Sequence, residues 1–233
     1  MLVELMKMVN SSAIRLSIND FKICRVSKPR FDLNTKIDFI LQNIANAQKI
    51  VINGGAAYDP IVIDRLSQIA KMKDLSLIDL SGVKIRNFCK LKGLSKLTKL
   101  VLSRTSVADL FALSIPSSLE YLNISGTKVS DLGPLKDLTN LKYLNVQRTP
   151  VNNLVQLSRL KNLENIDIRQ TKVKSAAPLA DLPNLKQVLA NREVNTLALR
   201  RRYSYSESDW GTRLKMTDKL AHKKDRKPGA KKP

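Results

Sequence analysis

The chain has 233 residues, with 41 Lys and Arg against 20 Asp and Glu, a formal charge of +21 and 43% hydrophobic content. That apolar share is ample for a core, and the charge points to polyanionic partners. Two cysteines, Cys24 and Cys89, build neither a disulfide framework nor a zinc quartet, which favours a reducing compartment, and no run approaches 18 apolar residues, so no membrane span is expected.

Taken from the N-terminus, "MLVELMKMVNSSAIRLSIN" has no secretory apolar region, so an intracellular location is expected, mitochondrion or nucleus and nucleolus ahead of free cytosol. "AIRLSIND" places Ala13, Leu16 and Ile18 as strand sites, and "AQKIVINGG" places Ala47, Ile50 and Ile52. The segments that follow them, "TKIDFILQNIANAQK" and "YDPIVIDRLSQIAKMK", have helical spacing, with Asp59-Pro60 as cap and first-turn proline of the second. These are two long repeats, of 34 and 28 residues, over 13–74.

From residue 75 the pattern becomes regular, at intervals of 22 residues. Leu75, Leu97, Leu119, Leu141, Leu163 and Leu185 open successive copies. Strand pairs follow at Ile78/Leu80, Leu100/Leu102, Leu122/Ile124, Leu144/Val146 and Ile166/Ile168. Thr105, Thr127, Thr149 and Thr171 recur, each with a valine two residues on. A fixed period of this length is the mark of a solenoid. The alternation predicts a short strand buried on one side, whose apolar ladder is covered only by the next repeat. The threonine hydroxyl is placed to satisfy backbone groups in the turn. Pro134-Leu135 and Pro178-Leu179 begin the convex return.

This pattern, L-x-x-L-x-L-x-x-T-x-V-x-x-L-x-x-L-x-x-L, resembles the leucine-rich-repeat family, in its 22-residue class seen in bacterial internalins. The threonine variant is also similar to leucine-rich-repeat proteins of kinetoplastid protozoa. The resemblance implies an α/β solenoid, a horseshoe with a parallel concave sheet. About seven repeats are expected over 1–199, regular over 75–190, the two long N-terminal ones with convex helices, then a basic extended tail over 200–233. It fixes fold and leaves task open.

The charge is not confined to the tail. Residues 200–233 carry 12 Lys and Arg against 4 Asp and Glu, so the solenoid keeps +13 of the +21. Lys84, Arg86, Arg104, Lys128, Arg148, Arg169, Lys172 and Lys174 follow the strands and are expected to stack as a cationic ladder on one rim. They form either a solvated edge or a rim tracking RNA phosphates, and the second is preferred. Tyr121 and Tyr143 share one concave strand position in adjacent repeats, either as a self-satisfied ladder or as a hot spot for a protein or a splayed base, with protein ahead of base.

In the tail, RNA contacts are expected from Arg200, Arg201, Arg202, Arg213, Lys215, Lys219, Lys223, Lys224, Arg226, Lys227, Lys231 and Lys232. Tyr203 and Tyr205 are expected to cap the last repeat, and Trp210 to anchor a protein partner. The sole histidine, His222, lies in this tail, and no nucleophile, phosphate-cradle or dinucleotide motif occurs. Asp79 and Asp167 share a concave position but stand four repeats apart, about 19 Å by strand spacing, too far for paired carboxylate chemistry.

The chain therefore reads as a non-enzymatic scaffold without cofactor, metal, membrane or small-molecule substrate. The preferred function is a subunit or assembly factor of an RNA-containing machine such as a ribosome. The family resemblance supplies a precedent, a spliceosomal leucine-rich-repeat protein that holds an RNA-binding partner. The alternative is a protein–protein adaptor similar to the leucine-rich regulator of a phosphatase, without RNA contact.

Overall fold

The computed structural model describes residues 13–17, 47–53, 62–63, 69–85, 90–200, 206–208 and 211–215. Its strands are β1 (Ala13–Ser17), β2 (Lys49–Asn53), β3 (Val62–Ile63), β4 (Leu77–Asp79), β5 (Lys84–Ile85), β6 (Lys99–Val101), β7 (Tyr121–Asn123), β8 (Tyr143–Asn145), β9 (Asn165–Asp167), β10 (Gln187–Ala190), β11 (Ser206–Ser208) and β12 (Gly211–Lys215). Eight of them lie parallel in the order β1-β2-β4-β6-β7-β8-β9-β10.

The sequence period becomes the sheet register. Ile78 stands beside Leu100, Leu100 beside Leu122, Leu122 beside Leu144, Leu144 beside Ile166 and Ile166 beside Val188. Each of these side chains is at most 2% exposed. The remaining leucine and valine columns close behind them, so one continuous core runs through the stack. Because every apolar ladder is roofed by its neighbour, the repeats hold together only as an array.

The convex return is built of 3-10 turns at Gly133–Leu135, Val155–Arg159 and Ala177–Leu179, two of which hold the expected prolines, Pro134 and Pro178, as their second residue. One side chain from each, Leu135, Leu157 and Leu179, is buried.

Three expectations change at the ends. In β1, Ile14 stands beside Ile50 and Leu16 beside Ile52, so the first repeat is two residues out of the expected register. The first step is 36 residues rather than 34; Ile18 lies outside the described residues. Period-2 spacing allows this, because a shift of two keeps the same face buried.

Second, Val62–Ile63, expected inside a convex helix, is a strand pairing in parallel with Lys84–Ile85, and Ile69–Lys71 is a 3-10 turn. Two β-branched residues in sequence favour that extended pairing. The first expected convex helix and the Asp59-Pro60 cap lie outside the described residues.

Third, the segment expected to start an extended tail does not leave the fold at residue 200. The short helix α1 (Leu197–Arg200) continues the last return, and β12 adds antiparallel to β10, with Leu189 opposite Arg213 and Gln187 opposite Lys215. β11 pairs with β12 in turn. The terminal parallel strand would otherwise present a row of unpaired backbone groups, and the hairpin covers it.

Candidate functional site

The concave face of the sheet is set by the exposed strand positions. Tyr121 and Tyr143, directly paired across β7 and β8, stack with ring centroids 4.3 Å apart and planes 2° from parallel. Lys99 Nζ lies 4.4 Å from the Tyr121 centroid on the other side. A cation over a tyrosine face contributes about 0.5–1 kcal/mol at an exposed site. The stack therefore has one closed end, at Lys99, while Tyr143 is followed in the next strand by Asn165. Burial pushes the Tyr121 phenol up to about 12, helped by Tyr143 and by the charge of Asp79.

The next concave column does local work. Oδ1 of Asp79, Asn123, Asn145 and Asp167 accepts a hydrogen bond from the backbone N–H two residues on, at 2.9–3.1 Å. Such turns close β4, β7, β8 and β9 after three residues each.

Beyond them lies the strand-end edge, where the predicted cations fall. Its backbone is locked by the threonine column: Thr105, Thr127, Thr149 and Thr171 donate Oγ1–H to the carbonyls of Leu102, Ile124, Val146 and Ile168 at 2.6–2.7 Å. One residue before this column, Gly82, Arg104, Gly126, Arg148 and Gln170 all have positive φ, between 56° and 71°. For the non-glycine members that conformation costs about 1–2 kcal/mol each. Arg104, Lys128, Arg148 and Lys172 are exposed on this edge with Lys84. Arg148 Nε donates to Gln170 Oε1 at 2.5 Å.

Arg169 behaves differently from the rest. Its guanidinium makes a two-pronged bond to Asp167, Nε–Oδ1 3.0 Å and Nη2–Oδ2 2.6 Å, and the Asp167 side chain is 4% exposed. That bond raises the guanidinium pKa and neutralises a carboxylate that could not be left bare. Arg169 is therefore a structural partner of Asp167, not a rung of the cationic edge. Lys174 sits further along and lines an open hollow together with Lys172, Asn152, Asn153, Ser175 and Pro178.

A family description, "Leucine Rich repeats (2 copies)", matches residues 117–160. Residues 117–160 thus match leucine-rich repeats, and the same 22-residue register continues through the neighbouring strands of the chain. Its fold is similar to internalin C2 of Listeria monocytogenes, with a TM-score of 0.53 and 23% identity, over 65% of this chain and 74% of that one. A leucine-rich-repeat protein of Leptospira interrogans matches with a TM-score of 0.51 and 19% identity, over 69% of this chain and 42% of that one. An internalin (InlF) of Listeria monocytogenes matches at 0.49 and 23%, over 67% of this chain and 50% of that one. The chain thus spans about half the length of the InlF structure. No curated protein matches the sequence significantly.

Reasoning on the sequence did not foresee the opposite, strand-start edge of these leucine-rich repeats. Asn140, Asn162 and Asn184 donate Nδ2–H to the carbonyls of Ser117, Thr139 and Lys161 in the preceding repeat, at 2.9–3.0 Å. Beside them Glu120, Lys142, Glu164 and Lys186 alternate in one column, with Lys142–Glu120 at 2.9 Å and Lys186–Glu164 at 2.6 Å. Lys96 pairs with Asp74 in the same manner, at 2.6 Å. The signal is present as a 22-residue recurrence of polar residue types just ahead of each strand.

Arg86, Arg201, Arg202, Trp210 and the cations from Lys219 to Lys232 lie outside the described residues. Arg213 and Lys215 are placed within β12, in the sheet. Among the described residues no helix is long and apolar enough to cross a membrane, and no cluster of His, Cys, Asp and Glu is placed to hold a metal ion.

Proposed function

We propose that this protein is a non-catalytic binding scaffold in an RNA-containing particle. The concave tyrosine stack docks a protein, while the strand-end edge and the basic C-terminal residues run along RNA phosphates. The observation that carries this is a contrast of charge. Lys96, Lys142 and Lys186 on the strand-start edge each have a carboxylate partner. Arg104, Lys128, Arg148 and Lys172 on the other edge are exposed, and the ion pairs formed among the described residues do not include them. Unpaired cations lose little solvation when they meet phosphates and release counterions from them. Such contacts position the chain on RNA without reading bases.

A second reading, a protein adaptor with no RNA contact, draws on the Lys99–Tyr121–Tyr143 stack, a rigid amphipathic platform of the type enriched at protein interfaces.

Sedimentation of the native protein from gentle lysate, with and without ribonuclease, separates the two. A heavy particle that collapses on ribonuclease treatment supports the RNA reading. A ribonuclease-resistant complex that is lost with Tyr121→Ala/Tyr143→Ala supports the adaptor and defeats it. Within the RNA reading, neutralising Lys219, Lys223, Lys224, Arg226, Lys227, Lys231 and Lys232 weakens RNA association far more than the tyrosine changes do.

A further inference from the structure

The cations of the strand-end edge follow a rule. Lys84, Arg104, Lys128, Arg148 and Lys172 supply one per repeat, at sequence steps of 20, 24, 20 and 24 residues. They alternate between two columns. Where the positive-φ position is Gly82, Gly126 or Gln170, a lysine stands two residues later; where it is Arg104 or Arg148, that later position holds Ser106 or Pro150. Cations within one column are thus two strands apart, about 10 Å. An unstaggered column would set like charges a single strand spacing apart, so the stagger lessens their mutual repulsion.

The stagger has a steric reason as well. A Cβ at Gly126 would lie 3.2 Å from Arg104 Cγ, so the arginine stem lies over the glycine of the next repeat. A second arginine at that position would meet it. In the next pair the side chains bond instead, Arg148 Nε to Gln170 Oε1. Both arginines occupy backbone that favours glycine, and strain kept at an exposed charged position is a pointer to use. The nearby carboxylates Asp109 and Asp131 are engaged by the backbone N–H groups of Phe111 and Gly133, at 2.7 Å.

The opposite edge shows how this chain accommodates stacked lysines when only solvation matters: it interleaves glutamates at the same position. The strand-end edge interleaves glycine, serine, proline and glutamine, and stays positive.

We propose that the strand-end edge is a track for one strand of RNA, gripped through its phosphates, with one cation presented per repeat along the solenoid axis. This rests on the RNA reading above and narrows it to single-stranded RNA held on this edge. Five cations span about 19 Å along the axis. A single strand is flexible enough to follow an evenly spaced row. A duplex is a stiff rod whose phosphates lie in two strands across grooves, so it meets such a row only where a strand crosses it. Guanidinium and ammonium groups without base-edge partners grip the strand irrespective of sequence.

The test uses the full chain and a labelled 20-nucleotide oligo(U), titrated between 50 and 200 mM KCl. Lys128→Gln/Arg148→Gln/Lys172→Gln removes three cations from the track. Lys96→Gln/Lys142→Gln/Lys186→Gln removes three from the paired edge, leaving the same net charge. With a contribution of about 0.7 per phosphate to the slope of log K against log salt, the track variant is expected to lose about 2 from that slope. The paired-edge variant keeps the parent slope. Arg148→Gly alone is expected to lose about 0.7 without a lower melting temperature, since glycine suits the backbone there.

Equal losses in both triple variants overturn the track while leaving RNA binding standing. No binding of oligo(U) by the parent at 50 mM KCl overturns both the track and the RNA reading. Tighter binding of an RNA duplex of the same length, lost in the track variant, overturns the single-strand assignment. Displacement of oligo(U) by polyglutamate at equal charge assigns the edge to an acidic protein and overturns the proposal.

Discussion

The two edges of the sheet are made by the same repeat and solve the same stacking problem in opposite ways. At the strand-start edge, polar side chains bind across to the preceding repeat, as Asn162 does to Thr139 and Lys186 to Glu164. At the strand-end edge the side-chain bonds of the threonine column stay within one repeat, as Thr149 to Val146, and among the described residues Lys84, Arg104, Lys128, Arg148 and Lys172 enter no ion pair. Closed pairs favour a solvated surface; open cations favour a ligand. The difference teaches that charge placement in a solenoid is informative only when the residue one repeat away is known.

Both edges depend on the shared core, and Leu122→Asp breaks the comparison altogether. Leu122 is fully buried between Leu100 and Leu144, and an unpaired carboxylate there destabilises by several kcal/mol. The expected result is loss of cooperative melting followed by circular dichroism. A melt matching the parent's would mean that the register is wrong.

Gly126→Ala acts on the open edge alone. It places a Cβ on backbone at φ 68°, 3.2 Å from Arg104 Cγ, and is expected to cost about 1–2 kcal/mol in urea unfolding. An unchanged unfolding midpoint would show that the stem and the backbone yield freely, which removes the steric basis of the stagger.

Between the edges, the tyrosine stack gives a pH signature. The folded Tyr121 phenol is held near 12 against 10.0 when free, so the unfolded chain releases its proton first. Its contribution is complete below pH 10 and is lost as the pH rises towards 12. Urea midpoints of the parent should fall over that window more steeply than those of Tyr121→Phe. Parallel curves would mean that the ring is not buried in the stack.

The smallest effect is expected at the paired edge. Glu120 raises the Lys142 pKa through a hydrogen bond, but both groups are exposed and exposed pairs contribute little. Lys142→Gln should leave the melting temperature within error. A marked drop would mean that the alternating column carries stability, and the contrast between the edges would shrink.

What could be read from the sequence is clear residue by residue. Leu122, Ile124, Val129 and Leu135 name their own places, because an apolar residue recurring every 22 positions has only the next repeat to be buried against. The threonine hydroxyls were legible for the same reason, since each bonds a carbonyl three residues back. At the ends the reading failed. Leu16 was set against the wrong residue, because with one faint repeat either of two registers two residues apart buries the same face. The hairpin of residues 206–215 was missed because its pairing with β10 is a tertiary event that no period announces.

The sequence by itself determined the fold, the period and the excess of positive charge, since those follow from recurring residue types. Which charges are open was decided only by the tertiary structure. Arg169 and Arg148 both read in the sequence as cations just after a strand, yet one closes on buried Asp167 and the other stands on left-handed backbone at the edge. Lys186 meets Glu164 across a strand spacing of about 4.8 Å and 22 residues of chain, and Arg169 closes on a residue only two positions back because the fold buries that carboxylate.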